Sequence, residues 1–112
     1  VSLCLNYIYS HMHEKISTEE LAAEVHLHPS YLSRLFREQM GCTLHDYILD
    51  QKIQSAKRML QFSDRSYAEI ANLLAFSSQS HFIQVFFRKV GVTPKQFREA
   101  EFRSKLMRGE QE

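Results

Sequence analysis

The chain has 112 residues, 44% of them hydrophobic and 24% charged, with only three Gly and two Pro, as expected of one helix-rich globular domain with a modest core. No run approaches the ~18 uncharged apolar residues of a membrane span and nothing at the start reads as a signal peptide. The net charge is +1, but residues 1–50 carry three Lys/Arg against seven Asp/Glu (−4) and residues 51–112 carry eleven against six (+5), a basic half extending from Lys52 to Arg108 that suits a polyanionic partner or a solvated helical surface equally.

Leu5, Ile8, Tyr9 and Met12 recur at helical spacing and predict a first helix over about residues 3–13. Ser17 to Glu20 reads as a capping box opening a short helix through Leu21, Ala22 and Val25. After a break at His26–His28, Pro29 suits the first position of a third helix, with Leu32, Leu35 and Phe36 inward and Gly41 as a left-handed stop. Thr43 to Asp46 is a second box, starting a long helix over 44–62 with Leu44, Tyr47, Ile48, Ile53, Ala56, Met59 and Leu60 inward. Ser66 to Glu69 is a third, leading into Ile70, Ala71 and Leu74. Ser78 caps the next helix, which turns Phe82, Val85 and Phe86 inward and stops at Gly91; Thr93-Pro94 opens the last, through Phe97. The tail after about Arg103 is polar and is expected to fray. The expected fold is all-α, with seven helices and no strand. Cys4 and Cys42 lack a CxxC spacing and read as two thiols rather than a disulfide.

The chain also repeats itself. Ser17 and Ser66, Glu20 and Glu69, Leu21 and Ile70, Ala22 and Ala71, and Val25 and Leu74 are each 49 apart; Leu32 and Phe82, Leu35 and Val85, Phe36 and Phe86, Gly41 and Gly91, Thr43 and Thr93, and Tyr47 and Phe97 are each 50 apart. One extra residue in the second turn explains the change. Each unit is a capped short helix, a tight turn and a longer helix, which is the helix-turn-helix arrangement, with the small Ala22 and Ala71 where two helices cross. The predicted organisation is a first subdomain over 1–43, a linker helix over 44–62 and a second subdomain over 63–112.

In such a unit the second helix enters the major groove of DNA. Removing the core positions from the helices over about 29–40 and 79–90 leaves Ser30, Tyr31, Ser33 and Arg34 in the first, and Gln79, Ser80, His81, Ile83 and Gln84 in the second, as candidate base readers. Arg34 can fork onto guanine, Gln79 or Gln84 can pair with adenine, and Ile83 can meet a thymine methyl or simply a neighbouring helix. Arg37, Lys52, Lys57, Arg88 and Lys89 are the candidate phosphate contacts, with Lys52, Lys57 and Arg58 equally readable as solvated surface.

Phe76-Ser-Ser-Gln-Ser-His-Phe82, Phe86, Gly91-Val-Thr-Pro94 and Phe97-Arg98, with Leu21-Ala22 and Pro29 to Phe36 in the first unit, resemble the AraC/XylS family of bacterial transcription regulators from about Tyr7 to Arg98. The resemblance implies two helix-turn-helix subdomains reading adjacent major-groove segments, about one helical turn (~34 Å) apart. It also implies a cytoplasmic protein, a double-stranded operator, contact with RNA polymerase, and a separate N-terminal effector-sensing or dimerising domain outside this chain. Three departures stand out. Ala75 replaces the usual Gly of the second turn, so that turn is expected to bend differently. Phe87 replaces a usual basic residue. His26 and His28 replace a frequent Gly and a frequent Ser cap.

Other chemistries are weakly supported. His11 with His13, and His26 with His28, sit at i, i+2, which points the rings of a helix to different faces, so no metal or other cofactor is expected. No phosphate loop, nucleophile–base arrangement or paired carboxylates suggest an enzyme. The Phe residues at 36, 76, 82, 86 and 97 have core spacing rather than that of a stacking platform for single strands. The competing class is a helical protein–protein adaptor whose units no longer read bases; a flat salt dependence would distinguish it.

Overall fold

Side-chain caps set most of the helix boundaries. Ser17 Oγ accepts from Glu20 N–H (3.0 Å) while Glu20 Oε1 accepts from Ser17 N–H (3.3 Å), and Ser66 and Glu69 make the same exchange at 3.1 and 2.8 Å. The Ser66 backbone and hydroxyl bonds hold the Glu69 carboxyl below the usual range. Thr43 Oγ1 accepts from Asp46 N–H and Ser78 Oγ from His81 N–H. Thr93 and Gln96 form a further reciprocal box at 3.1 and 2.9 Å, visible in the sequence as Thr-x-x-Gln but not singled out there.

The computed structural model describes residues 2–107, and among them are seven helices and no strand: α1 (Ser2–Ser10), α2 (Thr18–Glu24), α3 (Pro29–Met40), α4 (Leu44–Phe62), α5 (Tyr67–Leu73), α6 (Gln79–Val90) and α7 (Pro94–Met107). Two boundaries differ from expectation. The first helix ends at Ser10 rather than near residue 13, because Ser10 Oγ donates to Asn6 O (2.9 Å) and His11 Nδ1 lies 2.8 Å from Tyr7 O, side chains competing for the carbonyls of the last turn. The last helix extends past Arg103 to Met107, and Arg108 lies outside the described residues. Tyr9, expected inward, is exposed and sets its hydroxyl 2.9 Å from Tyr47 Oη. Burial, helped by that hydrogen bond, pushes the Tyr47 phenol up to about 12.

The chain divides into two compact units between Lys52 and Ile53, inside α4. In unit 1, Cys4 and Ile8 of α1 pack with Leu21 and Ala22 of α2, Leu32 and Phe36 of α3, and Leu44 and Ile48 of α4. Cys4 is buried and Cys42 half-buried, both as free thiols. In unit 2, Ile70 and Ala71 of α5 are buried, as are Phe82, Val85 and Phe86 of α6. Phe76, Phe82, Phe86 and Phe97 form a relay of tilted and edge-on rings with centroids 5.3–5.8 Å apart.

Both helix-turn-helix turns use one backbone device. After α2, Leu27 N–H bonds Ala22 O (2.9 Å) and His26 N–H bonds Ala23 O (3.3 Å); after α5, Phe76 N–H bonds Ala71 O (2.9 Å) and Ala75 N–H bonds Asn72 O (3.1 Å). This paired pattern needs a left-handed residue just past the helix, usually glycine. His26 and Ala75 occupy it, each with φ of 59°. The second turn therefore does not bend differently for lack of a glycine: Ala75 takes the strained conformation, because the two backbone bonds outweigh an αL penalty of roughly 1–2 kcal/mol. The extra residue of the second turn falls after this bend, residues 74–78 standing where residues 25–28 stand in the first.

Candidate nucleic-acid interface

α3 and α6 are the second helices of the two units, and each is fixed at both ends. His28 caps α3 by accepting Ser30 N–H at Nδ1 (3.1 Å), so the residue that replaces a serine does the serine's work. Ser78 caps α6, and both helices stop on left-handed glycines, Gly41 (φ 77°) and Gly91 (φ 94°). Leu32 and Phe36 anchor α3 from beneath; Phe82, Val85 and Phe86 anchor α6. The side chains left over cannot be absorbed by the core.

On α3, Ser30, Tyr31, Ser33, Arg34 and Arg37 are all exposed. The Arg34 guanidinium lies over the Tyr31 ring, 5.5 Å from its centroid, which restrains the fork without using its N–H donors. On α6, Gln79, Ser80, Gln84 and Arg88 are exposed, while His81, Ile83 and Lys89 are half-buried. Ser77 Oγ lies 3.1 Å from His81 Nδ1 and the ring stands edge-on to Phe76, so the imidazole is held with Nε2 as its other hydrogen-bonding atom. Ser77 lies in the turn before α6 and carries no sequence signal for this contact. Phe87 belongs to the same outward face, exposed by 54%.

Lys57 is half-buried on α4. Lys52 has to be removed from the phosphate candidates. It is only 4% exposed, and its ammonium donates to Met12 O (2.6 Å) and Glu14 O (3.0 Å) in the turn after α1. Burial pulls its pKa down to about 8. The sequence places Lys52 among polar residues at the middle of a long helix, and nothing local reveals that carbonyls from 40 residues earlier meet it there.

What remains is two helix faces of donors and acceptors in unlike proportions. Unit 1 offers hydroxyls and two guanidinium groups; unit 2 offers amides, a hydroxyl, an imidazole, the Arg88 guanidinium and an apolar pair. No helix among the described residues is long and apolar enough to cross a membrane.

A family model described as a helix-turn-helix domain matches residues 21–100. The chain is 38% identical over 92 residues to a probable transcriptional regulator, LumQ, of Photobacterium leiognathi, covering 82% of this chain and 37% of that protein. It spans well under two thirds of the length of other curated relatives as well. The solved DNA-binding domain of AdpA, a global transcriptional factor held in complex with a target DNA, superposes with a TM-score of 0.86 at 27% identity, covering 99% of this chain and 96% of that one. A regulator with an AraC-type DNA-binding domain from Chromobacterium violaceum gives a TM-score of 0.84 at 25% identity, with 89% of each chain covered.

Proposed function

The chain belongs to the AraC-type helix-turn-helix family, and from that premise we propose that it is the DNA-reading part of a bacterial transcription regulator. Each unit places its second helix in a major-groove segment of an operator. Residues 1–43 and 63–112 act as the two reading heads and the helix over 44–62 links them. The observation that carries this reading is the repeat of one scaffold with unlike outward faces. Caps, turn bonds and buried phenyl rings recur in both units, while Ser33, Arg34 and Arg37 in one become Ile83, Gln84 and Phe87 in the other. A scaffold kept and a face varied is what reading two different base sequences requires.

In this reading Arg34 forks onto guanine O6 and N7, Gln79 and Gln84 pair with adenine N6 and N7, and Ser30, Ser33 and Ser80 serve bases or phosphates. Tyr31 steadies Arg34, and His81 presents Nε2. Arg37, Arg88, Lys57 and Lys89 take phosphates. The domain binds and does not catalyse. A regulator of the relatives' length has room for an effector-sensing or dimerising part, and contact with RNA polymerase in the bacterial cytoplasm would connect binding to transcription.

Selection of bound duplexes from a random library, at two salt concentrations, tests the reading. Two short enriched blocks are expected, with a log–log salt slope of about −0.9 per phosphate neutralised. Absence of enrichment together with a flat slope would refute it.

A further inference from the structure

The outward faces of α3 and α6 differ in kind at two positions one turn apart. Ile83 and Phe87 correspond, 50 residues on, to Ser33 and Arg37, so unit 2 carries an aliphatic and an aromatic side chain where unit 1 carries a hydroxyl and a guanidinium. Residues four apart share a helix face, so Ile83 and Phe87 form one apolar stripe, with Ser80 and Gln84 beside it. The core uses only part of this stripe. Phe82, Val85 and Phe86 fill the inward side of α6, Ile83 stays half-buried and Phe87 is 54% exposed.

Resting on the reading of α6 as a groove-entering helix, we propose that the Ile83–Phe87 stripe packs on the methyl groups of neighbouring thymines, making unit 2 the reader of an A·T-rich half-site and Phe87 a specificity-determining residue. Thymine alone presents a methyl group in the major groove, and apolar side chains are what recognise it. The adjoining amides fit the same sequence, because Gln79 and Gln84 pair with adenine, the partner of thymine. Gln79, Ser80, Gln84 and Arg88 are exposed along the same helix, which suits hydrated base edges rather than a dry protein contact. Phe87 also stands where unit 1 has the Arg37 guanidinium, so at this one place unit 2 meets the duplex with a ring instead of a cation.

The test uses the whole chain and an operator obtained by selection. The block read by unit 2 is identified as the one whose preference changes in Gln84→Ala, and its thymidines are then replaced by deoxyuridine. Uracil keeps O4 and every hydrogen bond of thymine and lacks only the methyl. The wild-type chain is expected to bind the uracil duplex about fourfold more weakly for each contacted methyl, the equivalent of about 0.8 kcal/mol. Ile83→Ser and Phe87→Arg, which install the residues of unit 1, should lose that discrimination, and Phe87→Arg should steepen the salt slope. Melting of the Phe87 variants is expected to stay at the wild-type temperature. Equal wild-type affinity for the two duplexes, or a unit 2 block without thymine, overturns the proposal and leaves the DNA reading standing. A Phe87→Ala chain with unaltered affinity and sequence preference would overturn it in favour of a protein partner on the stripe. Enrichment of no sequence at all would overturn both.

Discussion

Unit 1 and unit 2 solve the same backbone problem with different side chains. The turn before each capping box leaves carbonyls without helical partners. In unit 1, Lys52 donates to both Met12 O and Glu14 O. At the carbonyls 49 residues on, Lys105 donates to Gln61 O (2.7 Å) and Arg98 to Ser63 O (3.2 Å), with Arg98 also reaching Leu60 O (3.2 Å). The residue 50 positions after Lys52 is Phe102, so comparison of the repeats residue by residue would miss the equivalence. What the repeat retains is positive charge on a pair of orphan carbonyls; which helix position supplies it is free to vary, because a long cationic side chain can reach the spot from several turns. The surroundings differ too. Lys52 is buried, whereas Lys105 is exposed over the Phe62 ring (5.2 Å) and Arg98 lies against Tyr67 (5.4 Å).

Paired substitutions at equivalent positions can break or sharpen this comparison. The largest effects belong to the phenyl anchors. Phe36→Ala and Phe86→Ala should each cost roughly 3–5 kcal/mol, since both rings are fully buried. Denaturant unfolding followed separately in each unit would show whether one unit survives the loss of the other's anchor. Unchanged melting in either variant would refute the inward placement.

Arg34 and Gln84 occupy equivalent positions on the two reading faces. Arg34→Ala is expected to weaken operator binding by about 1–3 kcal/mol and relax one base position in one block, with Gln84→Ala acting likewise in the other. A loss equal on all duplexes would make Arg34 a phosphate contact instead.

Burial of the Lys52 ammonium gives unit 1 a pH-dependent stability. Burial lowers the Lys52 pKa from 10.5 to about 8, so between those values the unfolded chain holds more protons than the folded one. Stability from this group therefore rises as pH increases through that window, by at most about 1.4 kcal/mol per pH unit. Chemical denaturation between pH 8 and pH 10 should show a more positive slope for the wild type than for Lys52→Met; parallel slopes would mean that the ammonium stays charged on its two carbonyls.

The smallest effect is expected at the turns. Ala75→Gly should stabilise unit 2 by about 0.5–1 kcal/mol, relief of the αL strain being partly offset by glycine's larger unfolded-state entropy. His26→Gly should do the same in unit 1. Destabilisation by either change would show that the side chain at that position contributes more than its backbone strain costs.

Much of this molecule is legible locally. Ser17 with Glu20, Ser66 with Glu69, Pro29, Gly41 and Gly91 act within four residues of themselves, and the periodic apolar residues around Phe36 and Phe86 specify which side of each helix is buried. The offsets of 49 and then 50 locate the turn that grows by one residue, and with it the two helices that face outward. The composition of those faces follows by subtraction.

Tertiary structure decided the rest, wherever a side chain's partner lies far along the chain. Lys52 looks like surface until Met12 O and Glu14 O are brought to it, and Tyr9 looks like core until Tyr47 meets its hydroxyl. Ala75 and His26 look unfit for a left-handed bend, yet closure of the turn onto Ala71 O and Ala22 O imposes one. Sequence signals are reliable for forces that act within a helical turn. Desolvation and long-range hydrogen bonding depend on what the finished fold places opposite each group, and no spacing along the chain encodes that.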